Sequence, residues 1–225
     1  MRRIGMAVLG LAVITLGGAP SFLVGQRSAL REVNEREKGS FGFDFAVGQP
    51  QGEFRRTGNV APGFQAFGVL GSTLGLRIDG GWMTYENLYQ GSGISTTSQI
   101  ATLGAGPQLT LGSGSLRVYG FATVGGAWFF SGISSSNCGC STGDIHITGD
   151  LTTSTSAGGG VLLYLTTGRT PIAIDVGARG ARHDNVRYIP IDGFTQNSDG
   201  SVTANYVSSP VIMRVLHVGV SVGIR

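Results

Sequence analysis

From Ser40 to the end of the chain, apolar and polar residues alternate with a period of two, the pattern of strands with one apolar and one polar face. Phe41, Phe43, Phe45 and Val47 oppose Gly42, Asp44, Ala46 and Gly48. Leu74, Leu76, Ile78, Gly80 and Trp82 oppose Arg77, Asp79, Gly81 and Met83. Ile172, Ile174, Val176 and Ala178 oppose Asp175, Gly177 and Arg179, and Leu216, Val218, Val220, Val222 and Ile224 oppose His217, Gly219, Ser221 and Gly223. The pattern predicts eight strands: Ser40–Gln49, Pro62–Gly71, Thr73–Glu86, Gln99–Leu111, Ser115–Phe130, Thr152–Thr166, Pro171–His183 and Pro210–Arg225. They run 10 to 16 residues, against about 5–6 for soluble strands and about 9–11 for a membrane crossing.

The connections fall into two kinds. Gly71-Ser72, Gly112-Ser113-Gly114 and Thr167-Gly168-Arg169-Thr170 are tight turns, whereas 50–61, 87–98, 131–151 and 184–209 are long. The two kinds alternate, so all short turns share one end with the chain termini and all long loops share the other. An even number of antiparallel strands with this asymmetry is the outer-membrane barrel arrangement. The predicted fold is therefore all-β, an eight-stranded antiparallel up-and-down transmembrane β-barrel over residues 40–225. Aromatic residues near the strand ends predict two interfacial girdles. Trp82, Tyr85, Trp128, Phe130 and Tyr188 would form one at the long-loop rim, and Phe41, Phe43, Tyr119 and Tyr164 the other.

Composition explains what the alternation leaves open. The 225 residues include 39 glycines, only 13% are charged, and 41% are hydrophobic. That is about half the usual charged fraction, yet no apolar run long enough for a spanning helix follows residue 26. The mean of an apolar face and a small, polar face has this composition. Net charge is +3 with no basic cluster, so nothing marks a nucleic-acid surface. Met1-Arg2-Arg3 followed by Ile4–Gly18 predicts a signal peptide over residues 1–25, and the charged stretch 26–39 reads as a periplasmic lead-in.

The Arg117–Gly126 strand and the chain end resemble small eight-stranded outer-membrane barrels of the OmpA/OmpX type. His217-x-Gly219-x-x-Val222-x-Ile224 is similar to that family's carboxy-terminal insertion signal, although this chain ends on Ile224-Arg225 rather than on an aromatic residue. The resemblance implies two partners, outer-membrane lipid and the barrel assembly machinery.

Parity directs Asp44, Arg77, Asp79, Arg117, Asp175 and Arg179 into the lumen, three acids and three bases. An eight-stranded barrel is just wide enough for side chains to fill, and buried charges must pair. An internal ion-pair network is expected, with Tyr119, Gln108 and His217 as hydrogen-bond partners. Arg55, Arg56, Arg182, Arg187 and Arg214 lie at or above the long-loop rim and are candidates for contact with lipid phosphates. Cys138 and Cys140 fall in the third long loop, where an oxidising compartment offers a strained disulfide, cross-linking or soft-metal capture. Asn197-Ser198-Asp199-Gly200 is a hairpin signal between Arg187–Thr195 and Ser201–Val207, a protrusion suited to an extracellular partner.

Catalytic readings are weak. Gly219-Val220-Ser221-Val222-Gly223 spells the serine-hydrolase pattern but sits in a terminal strand instead of a strand–turn–helix. His146, His183 and His217 lack ligand spacing, so neither metal nor cofactor is expected. The expected protein is a non-enzymatic outer-membrane barrel with long extracellular loops and a mostly plugged lumen. Its rivals are a narrow channel for small solutes, a lipid A-modifying barrel enzyme and a soluble lipocalin-like barrel with its apolar face inward.

Overall fold

The structure, a computed structural model, describes residues 37–57, 60–88, 94–135, 145–166, 170–188, 190, 194–196 and 202–224. The expected signal peptide, most of the lead-in, Cys138 and Cys140 lie outside the described residues. The chain forms β1 (Gly39–Gln51), a 3-10 turn (Gly52–Thr57), β2 (Ala61–Leu70), β3 (Leu74–Leu88), β4 (Ile94–Ser113), β5 (Leu116–Ser135), β6 (Ile145–Thr166), β7 (Ile172–Tyr188), β8 (Phe194–Gln196), β9 (Val202–Ala204) and β10 (Val207–Ile224). Eight of these strands close into one barrel in the order β1-β10-β7-β6-β5-β4-β3-β2. Each is antiparallel to its neighbours, and β10 returns to pair with β1 from Gly39↔Ile224 to Gln51↔Ile212. Tight reversal at the short-turn end uses left-handed backbone, with φ of 112° at Gly71 and 108° at Gly112, which glycine adopts without steric cost.

The outward face is apolar and exposed. Phe45 is 69% exposed, Leu103 66% and Leu216 64%, with Phe41, Phe43, Ile78, Val124, Val176 and Val220 in the same belt. The inward face holds Asp44, Arg77 and Asp175 at 0% exposure. This inversion excludes the lipocalin-like arrangement, in which the charged face would meet water. A continuous apolar belt on a closed barrel requires a hydrocarbon surround. On β7 the belt runs from Ile172 to Gly180 and ends at Arg182, and on β10 it runs from Ile224 to Leu216 and ends at Arg214.

Three strands rise well above that belt. β4 and β5 have 20 residues each and β6 has 22, and β5 stays paired with β6 out to Ile133↔Ile145. The third connection is therefore much shorter than the expected 131–151. Beyond the bilayer neither face has to be apolar, so pairing continues where the hydropathy alternation has stopped. The fourth loop carries its hairpin as β8 against β9, from Phe194↔Ala204 to Gln196↔Val202, shorter than the flanking segments suggested. A register shift between Pro210 and Val211 interrupts the ladder near the start of β10, at a proline that donates no ladder hydrogen bond.

The girdles need correction. Trp82, Trp128 and Phe130 do cluster on the outer face, with Trp82 stacked on Phe130 at 5.8 Å and Trp128 4.7 Å from it. These rings flank Ala101, which pairs with both Trp82 and Trp128. Phe41 and Phe43 are also outward, but Tyr85, Tyr119, Tyr164 and Tyr188 are all buried inside the barrel. Three of the four tyrosine hydroxyls meet nitrogen or oxygen atoms there, and that of Tyr85 meets the Met213 sulfur. Ring chemistry and nearness to a strand end do not separate the two faces; parity turns Tyr85 and Tyr119 inward, and the register shift opposite Pro210/Val211 carries Tyr188 inward as well.

Candidate functional site

The lumen is filled in three tiers. At the short-turn end, Arg117 Nη1 meets Glu37 Oε2 at 2.5 Å. The Arg117 guanidinium lies 4.2 Å over the Tyr164 ring, and the Tyr164 hydroxyl donates to Glu37 Oε1 at 3.2 Å. Lys38 extends the ladder here, its N–H donating to the Ile224 carbonyl at 2.7 Å, and this brings the preceding Glu37 beneath the barrel.

The middle tier centres on Arg77. Its Nε donates to Asp79 Oδ2 at 2.9 Å and its Nη1 to Gln108 Oε1 at 3.0 Å. Phe67 and Phe121 each place a ring 4.2 Å from its guanidinium carbon, so cation–π attraction adds to the ion pair in a desolvated setting. Arg179 Nη1 approaches the other oxygen of Asp79 at 3.5 Å. Two further carboxylates stand apart from these arginines. Asp44 Oδ2 accepts from Gln65 Nε2 at 2.7 Å. Asp175 Oδ1 accepts from the Tyr119 hydroxyl at 2.7 Å, and that hydroxyl also lies 2.9 Å from His217 Nε2.

The upper tier is apolar. Phe54, in the 3-10 turn after β1, enters the mouth at 0% exposure. It packs edge-on against Tyr85 at 5.3 Å, Tyr188 at 5.1 Å and Phe129 at 6.4 Å. Ile100, Val186, Val211, Met213 and Val215 complete this layer. Between it and the charged tier lies a small cavity of about 20 Å³, lined in part by Asp79, Arg179 and His183, enough for a water molecule.

All six lumen residues expected from parity are thus buried, but they do not form one closed set. Arg77, Asp79 and Arg179 are brought together, Arg117 pairs with Glu37, and Asp44 and Asp175 pair with no arginine among the described residues. The expected balance also changes. Among the described residues, four carboxylates including Glu37 face three guanidiniums. Glu37 and Phe54 were not foreseeable, because neither lies in a segment with strand alternation. Gln65 does share the inward parity of β2, so the same rule that found Asp44 could have found it.

At the rim, Arg182 and Arg214 are exposed on the outer face, one step beyond the belt. They sit on adjacent strands, with Ile212↔Arg182 and Arg214↔Gly180 in register. Arg55 is exposed in the 3-10 turn, and the Arg56 side chain lies outside the described residues. Arg187 is engaged elsewhere. Its backbone N–H donates to Asp150 Oδ2 at 2.8 Å, and its Nη2 lies 3.4 Å from Asp150 Oδ1. Above the belt, that backbone hydrogen bond holds the Asp150 carboxyl below the usual carboxylate range. Of the residues expected to form an insertion signal, Gly219, Val222 and Ile224 occupy the β10 half of the closing seam, and His217 points inward. Ser221 is buried opposite Gly42 in mid-strand, with no helix following it among the described residues.

A closed ring of eight antiparallel strands, a lipid-facing apolar belt, a packed polar interior and long connections at one end define a small barrel of the outer-membrane class. No family model and no curated protein matches the chain. Among solved structures, it is similar to Neisserial surface protein A, with 14% identity and a TM-score of 0.48 over 82% of this chain and 96% of that one. It is also similar to Ail, the attachment invasion locus protein of Yersinia pestis, with 14% identity and a TM-score of 0.41 over 81% and 95%. A major outer membrane protein from Thermus thermophilus matches at 14% identity and a TM-score of 0.48 over 82% and 99%.

Proposed function

We propose that the protein is a non-enzymatic barrel of the outer membrane whose lumen is closed and whose working surface is the raised β4–β6 wall with its loops. The observation that carries this reading is the double closure of the lumen. The Arg77 guanidinium lies between two rings in the middle tier, and Phe54 fills the mouth. Planar-bilayer recording tests it. Wild type and Arg179→Ala are both expected to show no single-channel steps. Currents in wild type that grow in Arg179→Ala would support the channel reading instead.

The placement of Arg182 and Arg214 favours contact with lipid phosphate as part of the same role. Guanidinium pairs phosphate oxygens bidentately, and both side chains are exposed on the outer face one step beyond the apolar belt. In Arg182→Gln/Arg214→Gln, the preference for phosphate-bearing over dephosphorylated lipid A vesicles is expected to fall several-fold. An unchanged preference would remove these residues from lipid contact.

A further inference from the structure

The lumen contains a second polar constellation that the ion-pair network does not absorb. Asp44, Gly219 and Asp175 form one row across β1, β10 and β7, since Gly219 is in register with both aspartates. The middle of the row has no side chain, and the Asp44 carboxylate leans into the space it leaves. A Cβ at Gly219 would stand 2.3 Å from Asp44 Oδ1. His217, the preceding inward position of β10, joins them. Its ring lies over Gly177, where a Cβ would come within 2.5 Å of His217 Nε2.

One ligand atom from each of Asp44, Asp175 and His217 falls within 4.8 Å of the others, and all three residues are buried. Each also retains an atom with no hydrogen-bond partner: Asp44 Oδ1, Asp175 Oδ2 and His217 Nδ1. Burying such groups unpaired is costly, and a buried carboxylate needs a cation or a proton. The three lumen arginines already serve Asp79 and Glu37. Among the described residues, the basic atom within 4 Å of these carboxylates is His217 Nε2, at 3.9 Å from Asp175 Oδ1.

We propose that Asp44, Asp175 and His217 bind one divalent transition-metal ion of zinc's class inside the barrel. Two carboxylate oxygens and an imidazole nitrogen are the donor types that zinc takes, whereas calcium seeks six to eight oxygens. Donors at about 2.1 Å from a tetrahedral ion stand about 3.4 Å apart, so binding draws together atoms that lie within 4.8 Å of one another. The ion supplies the charge that the arginines do not, and it ties β1, β7 and β10 together across the closing seam. Sequence spacing gave no sign of it, because the ligands come from three strands and lie far apart along the chain.

The test is to refold the full chain in detergent with Zn²⁺, remove free metal, and measure bound zinc per folded barrel. Heat-dependent gel mobility certifies folding. Wild type is expected to hold close to one equivalent, and Co²⁺ in its place should give the visible absorption of a four-coordinate site. Asp44→Asn/Asp175→Asn, which preserves shape, should lose at least tenfold in metal content while remaining heat-modifiable. Cys138→Ser/Cys140→Ser should retain the metal. A metal-free wild-type barrel overturns the proposal, as does zinc that persists in the folded Asp44→Asn/Asp175→Asn barrel or leaves with the cysteines. If the Asn pair fails to fold, His217→Gln replaces it under the same criteria.

Discussion

Arg77→Ala will destabilise the folded barrel by about 3–5 kcal/mol, the usual cost of breaking a buried ion pair from one side. The mechanism is local and specific. Removing the guanidinium leaves Gln108 Oε1 without its donor, halves the cationic compensation of Asp79, and opens a gap between Phe67 and Phe121. Reversible urea titration in lipid vesicles measures it. Arg77→Met is the informative companion, because it keeps bulk between the rings and removes only the charge and its donors. It should fall between wild type and Arg77→Ala. A loss below about 1 kcal/mol for Arg77→Ala would mean that Arg179, 3.5 Å from Asp79, takes over the pairing, in contrast to the usual cost of an orphaned buried charge.

Val218→Arg will cost about 2–4 kcal/mol in the same titration, the penalty for a cation facing hydrocarbon near mid-bilayer. Val218 is 51% exposed in the middle of the β10 belt. Ile212→Arg on the same strand and the same face should cost only about 0–1 kcal/mol, because it lies beyond Arg214 at the rim. Equal effects at both positions would contradict the belt boundaries drawn at Arg182 and Arg214. An Arg tolerated at 218 would mean that the exposed apolar face meets water or another protein, not lipid.

The two-residue period made the barrel legible because each strand has to satisfy hydrocarbon on one side and a packed polar core on the other. That constraint sorts Asp44 from Phe45 and Arg77 from Ile78. It ends where the bilayer ends, so the outer ends of β4, β5 and β6, residues 94–98, 131–135 and 145–151, carry no sustained alternation and read as loop. Pairing inside the lumen was only partly legible. Parity states that Arg117 and Asp175 point inward, but not how far apart they sit. Their heights depend on stagger between strands, which hydropathy does not encode. Glu37 partners Arg117 from outside the alternating region, and Phe54 closes the mouth from a loop. Each owes its position to the tertiary fold. The tyrosines failed for a different reason, since their amphipathic rings suit an interface and a hydrogen-bonded interior equally well.

The seam between β1 and β10 has a consequence for assembly. Asp44 sits on the first barrel strand and Asp175 on β7, and only β10 stands between them. With β1 and β10 apart, the two carboxylates are not neighbours: Asp44 lies on the edge strand β1, and Asp175 lies one strand in from the opposite edge. Pairing of β10 with β1 brings a carboxylate oxygen of each within 4.8 Å of the other in a buried setting. Two buried like charges close to the seam oppose its closure unless they are neutralised, so the proposed ion would act on the joint between first and last strand as well as on the lumen.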